Sequence, residues 1–165
     1  MNYLKKLTDK ISEEEYLMYQ EIPERENGSV NNLRASKKEF NKLLKERLKE
    51  EYLPLDDVNT PRITYIMYSG DKPVGEVMIR PVLNYYWYNT SGNIGYKIRP
   101  SRRGEGLGNE ILRLALEEAK NLGLSSVRLG CFVDNKISEK VILKNGGKQV
   151  NEMDHVKYFN ISLGE

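Results

Sequence analysis

The chain has 165 residues, 39% of them hydrophobic and 30% charged, with a formal net charge of +2 at neutral pH. This is the length of a single domain, 1–165, with a core of its own, and the charge is too small to point to nucleic acid. No apolar run approaches the ~18 residues of a membrane-spanning helix, and Met1-Asn2-Tyr3-Leu4-Lys5-Lys6 leads into no apolar stretch of a secretory leader.

In chain order, Lys5–Leu7 reads as the end of a first strand. Ser12-Glu13-Glu14-Glu15 and Ser36-Lys37-Lys38-Glu39 both carry the capping-box spacing, in which the serine and the glutamate satisfy each other's backbone N–H groups. Each predicts a helix start. In the second helix Phe40, Leu43, Leu44, Leu48 and Tyr52 recur at helical spacing and form a core stripe. Residues 24–32, polar and rich in Asn and Gly, read as a surface loop. Arg62–Ser69 and Pro73–Arg80 are strands joined at Gly70-Asp71, a hairpin signal. Tyr85-Tyr86-Trp87-Tyr88 does not alternate, so some of these rings must be exposed or lie in a groove. They form either an edge strand or dimer contact, or a wall that holds an ammonium by cation–π contact.

From Asn93 to Ile98 the residues Ile94, Tyr96 and Ile98 alternate with polar or small ones, a strand. Asn109–Leu122 carries Gly108, Ile111, Leu112, Ala115, Ala119 and Leu122 as an apolar stripe, and Gly123 sits where a glycine ends a helix. Ser126–Phe132 alternates again, with Cys131 on its apolar side. One cysteine excludes an internal disulfide and suits a reducing cytoplasm, which makes the sequons at Asn27, Asn89 and Asn160 chance occurrences. Asp134-Asn135 opens a short helix with Ile137, Val141 and Ile142 inward, stopped by Asn145-Gly146-Gly147. Val150 and 156–163 form a terminal strand pair around Met153-Asp154-His155. These elements predict an α/β (α+β) fold, a mixed and mostly antiparallel central sheet flanked by helices on both faces.

The most informative stretch runs from Ile98-Arg99-Pro100-Ser101-Arg102-Arg103 to Gly104-Glu105-Gly106-Leu107-Gly108, a basic glycine-rich turn between a strand and a helix. Free backbone N–H groups and the positive end of the helix dipole favour a bound anion there. Glycines let a phosphate come close because no Cβ intervenes. The dinucleotide fingerprint G-x-G-x-x-G does not fit Gly104-x-Gly106-x-Gly108. The P-loop pattern fails at Gly147-Lys148, which Gln149 follows. What remains, Arg103-x-x-Gly106-x-Gly108 behind a strand, resembles the acyl-CoA pyrophosphate loop of the GNAT N-acetyltransferase family. Asn135-x-x-Ser138 resembles that family's contact to the coenzyme A arm. The resemblance covers residues 63–163, with both motifs in order.

The resemblance implies the GNAT fold, with acetyl-CoA as co-substrate; one His and one Cys cannot make a zinc site, so no metal is expected. It assigns acetyl-CoA to Ile98, Arg99, Arg102, Arg103, Gly104, Glu105, Gly106, Leu107, Gly108, Asn109, Asn135 and Ser138. The cluster Lys97, Arg99, Arg102 and Arg103 reads as electrostatic capture of the coenzyme's phosphates. The family often dimerises, so a homodimer is an expected assembly. The implied reaction is acetyl transfer to a primary amine of a small molecule or peptide, by direct attack in a ternary complex. Such an amine, with a pKa near ~10.4, is mostly protonated at neutral pH, so a base or a water path is useful. Backbone N–H groups around Lys97–Arg99 would polarise the thioester carbonyl.

The family's usual acid and base have no counterpart here. Ile142 stands seven residues after Asn135, where a tyrosine is common, and Asn93 stands where a glutamate is common in the segment Gly92-Asn93-Ile94-Gly95-Tyr96. The remaining catalytic candidates are Glu76, Tyr96 and Tyr158. Glu76 lies mid-strand, where a carboxylate needs either a task or a cross-strand cation. Cys131 has no histidine beside it that would make it a nucleophile, and His155 reads as an exposed turn residue. Tyr86, Trp87 and Tyr88 are the acceptor-site candidates. Two other readings stand beside the enzyme: a catalytically weak acyl-CoA-binding or sensing module, and a non-catalytic interaction domain of the same fold.

Overall fold

The computed structural model of the chain describes residues 1–164. Its elements are β1 (Asn2–Lys6), α1 (Glu13–Glu21), β2 (Arg25–Glu26), β3 (Ser29–Val30), α2 (Lys37–Lys49), β4 (Ile63–Ser69), β5 (Lys72–Ile79), α3 (Tyr85–Tyr88), β6 (Ile94–Ile98), α4 (Leu107–Asn121), β7 (Ser126–Phe132), α5 (Lys136–Lys144), β8 (Lys148–Met153) and β9 (Val156–Ser162). Strands β1, β4, β5 and β6 form one antiparallel sheet in that order, and β7, β9 and β8 form a second. Helices cover both faces of the first sheet, as the sequence pattern predicts.

The pleat of β5 assigns its residues to the two sides. Gly75, Val77 and Ile79 turn toward α4, where Ile111, Leu112, Ala115 and Ala119 join Val127, Leu129, Phe159 and Ile161 of the second sheet in one core. On the opposite side α1 and α2 pack Met18, Tyr19, Phe40 and Leu44 on Ile66 and Tyr68 of β4. Glu76, in register with Ile66 and Lys97, also faces this second core. A strand so enclosed carries few exposed residues, which is why its apolar run is nearly continuous.

The two sheets meet at one place. Gly92 bridges Leu129, and a Cβ at Gly92 would collide with the Arg128 carbonyl, so only glycine permits the approach. Next to it, Asn93 replaces ladder bonds with its own amide. Asn93 Nδ2 donates to the Arg80 carbonyl at 2.9 Å, and its Oδ1 accepts from the Arg128 N–H at 2.7 Å. Its backbone N–H donates to the Arg128 carbonyl, also at 2.7 Å. Beyond this residue β6 and β7 share no ladder, and the sheets part.

Several local expectations change. The Ser12 capping box forms, whereas Ser36 caps α2 without a side-chain hydrogen bond. Tyr52 falls in the 3-10 turn that follows α2 and is exposed rather than core. The 24–32 loop contains the hairpin β2–β3, turned by Asn27 (φ 49°) and Gly28 (φ 78°), the left-handed pair of a tight hairpin. The aromatic run is neither edge strand nor extended segment. It is a single helical turn, because Asn84 accepts the Trp87 N–H at 2.9 Å. Ile137, expected inward, is 80% exposed on α5.

Asn93→Ala leaves the Arg80 carbonyl and the Arg128 N–H buried and unpaired. At ~1–3 kcal/mol for each such group, we expect a loss of about 2–6 kcal/mol of unfolding free energy, measured by urea denaturation.

Candidate active site

The β5–β6 register decides which backbone groups are free where the sheets part. Gly95 and Lys97 lie opposite Met78 and Glu76, and the Arg99 N–H donates to the Val74 carbonyl at 2.9 Å. These odd positions therefore bond to β5, and the N–H groups of Tyr96 and Ile98 point the other way, into the gap. The free pair is thus Tyr96 and Ile98 rather than a run from Lys97 to Arg99.

The gap opens into a cleft of about 890 Å³, a volume suited to a small-molecule ligand. At its mouth stands the N-terminus of α4. Gly106 caps it in the left-handed conformation, φ 76°, with no side-chain cap, so the first N–H groups of a 15-residue helix have no capping side chain. A Cβ at Gly104 or Gly106 would meet nothing within 4 Å, so the space above the turn is open. Ile98, Arg102, Arg103, Gly104, Gly106, Leu107, Gly108 and Asn109 all line the cleft, as do Asn135 and Ser138 at the start of α5. Asn135 Oδ1 accepts the Ser138 N–H at 3.2 Å and so caps α5. Lys140 and Lys144, one turn apart on α5, add positive charge to the same cleft.

The basic cluster is not an array of free cations. Arg99 does not line the cleft; its guanidinium binds Glu21 of α1 at 2.9 Å and the Pro73 carbonyl at 3.1 Å. Arg102 pairs with Glu105 at 2.9 Å, and Glu105 does not line the cleft either. Arg103 donates to the Ile98 carbonyl at 3.0 Å and forms a fork with Glu26 of β2 at 2.6 and 2.8 Å. Exposed pairs of this kind are worth only about 0–1 kcal/mol, so a bound anion can replace Glu26 or Glu105 at little cost.

Glu76 sits outside the cleft and is fully buried. Its Oε1 accepts from Arg47 Nη1 at 2.6 Å and from the Tyr19 hydroxyl at 2.8 Å, while Lys97 Nζ stands 3.8 Å from Oε2. Arg47, 2% exposed, also donates to Asn32. Burial opposes ionisation of Glu76, but Arg47, then Lys97 and the Tyr19 hydroxyl, outweigh it and hold the carboxyl below its usual range. Burial, with Arg47 and Arg62 nearby, leaves Lys97 below its own usual value. The general-base role for Glu76 is therefore withdrawn: the alternative left open by the sequence, pairing with buried cations, is what the structure holds.

Tyr158 is also committed elsewhere, its buried hydroxyl donating to the Asn89 carbonyl at 2.7 Å. Tyr96 is different. It lines the cleft, and its hydroxyl lies 3.0 Å from Ser138 Oγ. Burial pushes its pKa up to about 12, so it keeps its proton through the neutral range. Of the aromatic run only Trp87 lines the cleft. Tyr86 packs edge-on against Trp87, and Tyr88 covers the Arg128 guanidinium at 4.1 Å.

The other half of the cleft holds residues that the sequence pattern does not single out. Arg80, at the end of β5, lines the cleft with its guanidinium stacked 3.7 Å over the Trp87 ring. Arg62 lines it too, held by Glu50 at 2.5 Å. Burial, with Arg62 alongside, pulls Arg80 down to about 10, still cationic at neutral pH. Nothing local in a strand sequence separates a buried arginine from a surface one.

A family model described as the Acetyltransferase (GNAT) family matches residues 29–146. The chain belongs to this family. The match starts well before residue 63, taking in β3 and α2, which the motif-based resemblance did not reach. Among solved structures, the Campylobacter jejuni N-acetyltransferase PseH is 13% identical, with 98% of this chain and 97% of that one covered and a TM-score of 0.66. PseH in complex with acetyl coenzyme A gives 16%, 98%, 99% and 0.62. A GNAT acetyltransferase from Streptococcus pneumoniae gives 15%, 99%, 100% and 0.65. At these identities the likeness is one of fold. No curated protein matches the chain.

In this GNAT chain Glu76→Gln leaves Arg47 buried without its counter-charge, which should cost about 3–5 kcal/mol. Because the folded carboxyl titrates below its unfolded value, its contribution is present above the ordinary 4.5 and is lost as pH falls through the lower folded value. Denaturation of wild type and variant across the acid range should show the gap between them closing.

Proposed function

We propose that the chain transfers the acetyl group of acetyl-CoA to a primary amine of a small molecule or peptide, by direct attack in a ternary complex. One observation carries this reading: the uncapped start of α4 and the free Tyr96 and Ile98 N–H groups open into one cleft. The first suits the phosphates of the coenzyme and the second a carbonyl oxygen. Family membership and the acetyl coenzyme A complex of the structurally similar PseH support it.

The residues fit the co-substrate. Leu107 and Gly108 would offer backbone N–H groups to the pyrophosphate at the positive end of α4, with Arg103 released from Glu26 beside them. Acetyl-CoA supplies the activated thioester. The Tyr96 and Ile98 N–H groups stabilise negative charge as it grows on the carbonyl oxygen. The Tyr96 hydroxyl, oriented by Ser138, donates to the departing sulfur. The only carboxylate among the described cleft residues is Glu26, which stands beside Arg103 at the phosphate end of the cleft, and the amine loses its proton to solvent.

A second reading, acyl-CoA binding without turnover, draws on one fact. Ile142 is buried and the Asn93 amide is fully engaged, so neither position usual for acid or base supplies one. Acetyl-CoA binding with no turnover of any amine would establish it.

Gly108→Asp separates binding from folding. A Cβ there meets only Val141 at 3.7 Å, and an acidic residue in a first helical turn favours the helix. The melting temperature should hold or rise, while calorimetry should show acetyl-CoA affinity falling by about 30-fold or more through charge repulsion. Tyr96→Phe should lower kcat by about 100-fold with little change in the KM for acetyl-CoA. An unchanged kcat would remove Tyr96 from the chemistry.

A further inference from the structure

Of the arginines that line the cleft, Arg62 has Glu50, Arg102 has Glu105 and Arg103 has Glu26. Arg80 has none among the described residues. It is 6% exposed, and its side chain makes no hydrogen bond to any described residue. No Arg80 nitrogen is both fully buried and unpaired, so its free N–H groups open onto the cleft, where an anion would offset the partial desolvation of the charge. The charges that act on Arg80 are Arg62 and Glu50, and those two are paired with each other.

The stacking on Trp87 gives this cation a direction. It occupies the face of the guanidinium and leaves the in-plane N–H groups at its edge, the geometry that receives a carboxylate with two parallel hydrogen bonds. The arrangement is rigid. The Arg80 backbone is held on both sides by Asn93, at 2.7 and 2.9 Å. Trp87 is fixed by the Asn84 cap, and Asn84 in turn donates to the Asp56 carbonyl at 2.9 Å. Arg80 lies level with Asn93, three residues from Tyr96, so about 10 Å of strand separates it from the free N–H groups.

We propose, resting on the acetyltransferase reading, that the acceptor is an amine that also carries a carboxylate, and that Arg80 is the residue that selects it. The Arg80 fork takes the carboxylate against the Trp87 wall, and the amine at the other end of the molecule reaches the gap beside Tyr96. One unpaired guanidinium matches one negative charge, which favours a carboxylate over a doubly charged phosphate.

The test compares ω-amino acids of increasing chain length with their carboxamides and with phosphoethanolamine, in wild type, Arg80→Gln and Arg80→Lys. Wild type should favour the acid over its carboxamide by about 30-fold or more in kcat/KM, the factor for losing one partner of a buried charge pair. Arg80→Gln should erase that ratio while sparing the carboxamide, and Arg80→Lys should restore part of it. A purely structural role would lower acid and carboxamide alike and keep the ratio, which would overturn the proposal. So would equal use of both by wild type, or a preference for phosphoethanolamine.

A second arm needs no acetyl-CoA. Trp87 is the only tryptophan in the chain, so its fluorescence should change saturably on titration with the ω-amino acids, not with the carboxamides, and not in Arg80→Gln. Absence of turnover with every amine would count against the acetyltransferase reading. The fluorescence arm would then decide the carboxylate site by itself, a flat response overturning it.

Discussion

Asn93 is the residue on which the site depends. A regular ladder between β6 and β7 would have closed one continuous sheet and left no free backbone edge. Instead, one side-chain amide satisfies a carbonyl of one sheet and an N–H of the other, and Gly92 lets the two backbones come close enough for it to do so. The sheets are joined at that point and separate beyond it. The free N–H groups of Tyr96 and Ile98 and the cleft follow from this single junction.

Charge is distributed around the cleft by a simple rule. Where an arginine would otherwise be free, a glutamate from a different segment has been brought to it: Glu21 of α1 to Arg99, Glu26 of β2 to Arg103, Glu50 after α2 to Arg62. The first two pairs fasten the N-terminal third of the chain over the turn that follows β6. Deeper in, Arg47 and Glu76 tie α2 to β5, with Tyr19 of α1 on the same carboxylate. The Glu76 carboxylate is thus a brace between the layers. Arg80 and Arg128 both lack a carboxylate, but Arg128 donates to the Tyr88 carbonyl at 2.8 Å, whereas the Arg80 side chain has no hydrogen-bond partner among the described residues.

The legible part of the sequence was that set by local periodicity and turn chemistry. The strands at 63–69, 94–98 and 126–132 and the helix that follows Gly106 were visible from alternation, helical spacing and glycine punctuation. The open turn before α4 was visible for the same reason, since glycines at a strand-to-helix junction carry a conformational meaning that depends on few distant contacts. Less was visible where a local signal was ambiguous. Tyr85–Tyr88 carries strand-favouring rings, and one capping bond from Asn84 makes it a helical turn. Asn27-Gly28 is a hairpin signal, but the strands that flank it are only two residues each.

What the sequence determined by itself was the order of elements, the family resemblance and the anion-favouring helix start, all properties of contiguous residues. What only the tertiary structure decided was which charges are free. Glu76 and Tyr158 lost their candidate roles, Tyr96 kept a place in the cleft, and Arg80 acquired one. Three of these outcomes turn on a partner distant in sequence, Arg47, Asn89 and Ser138, and the fourth on how the loop after β5 folds Trp87 back over Arg80. The physical reason is that a side chain's chemistry depends on its burial and its hydrogen-bond partners, and no local spacing encodes either.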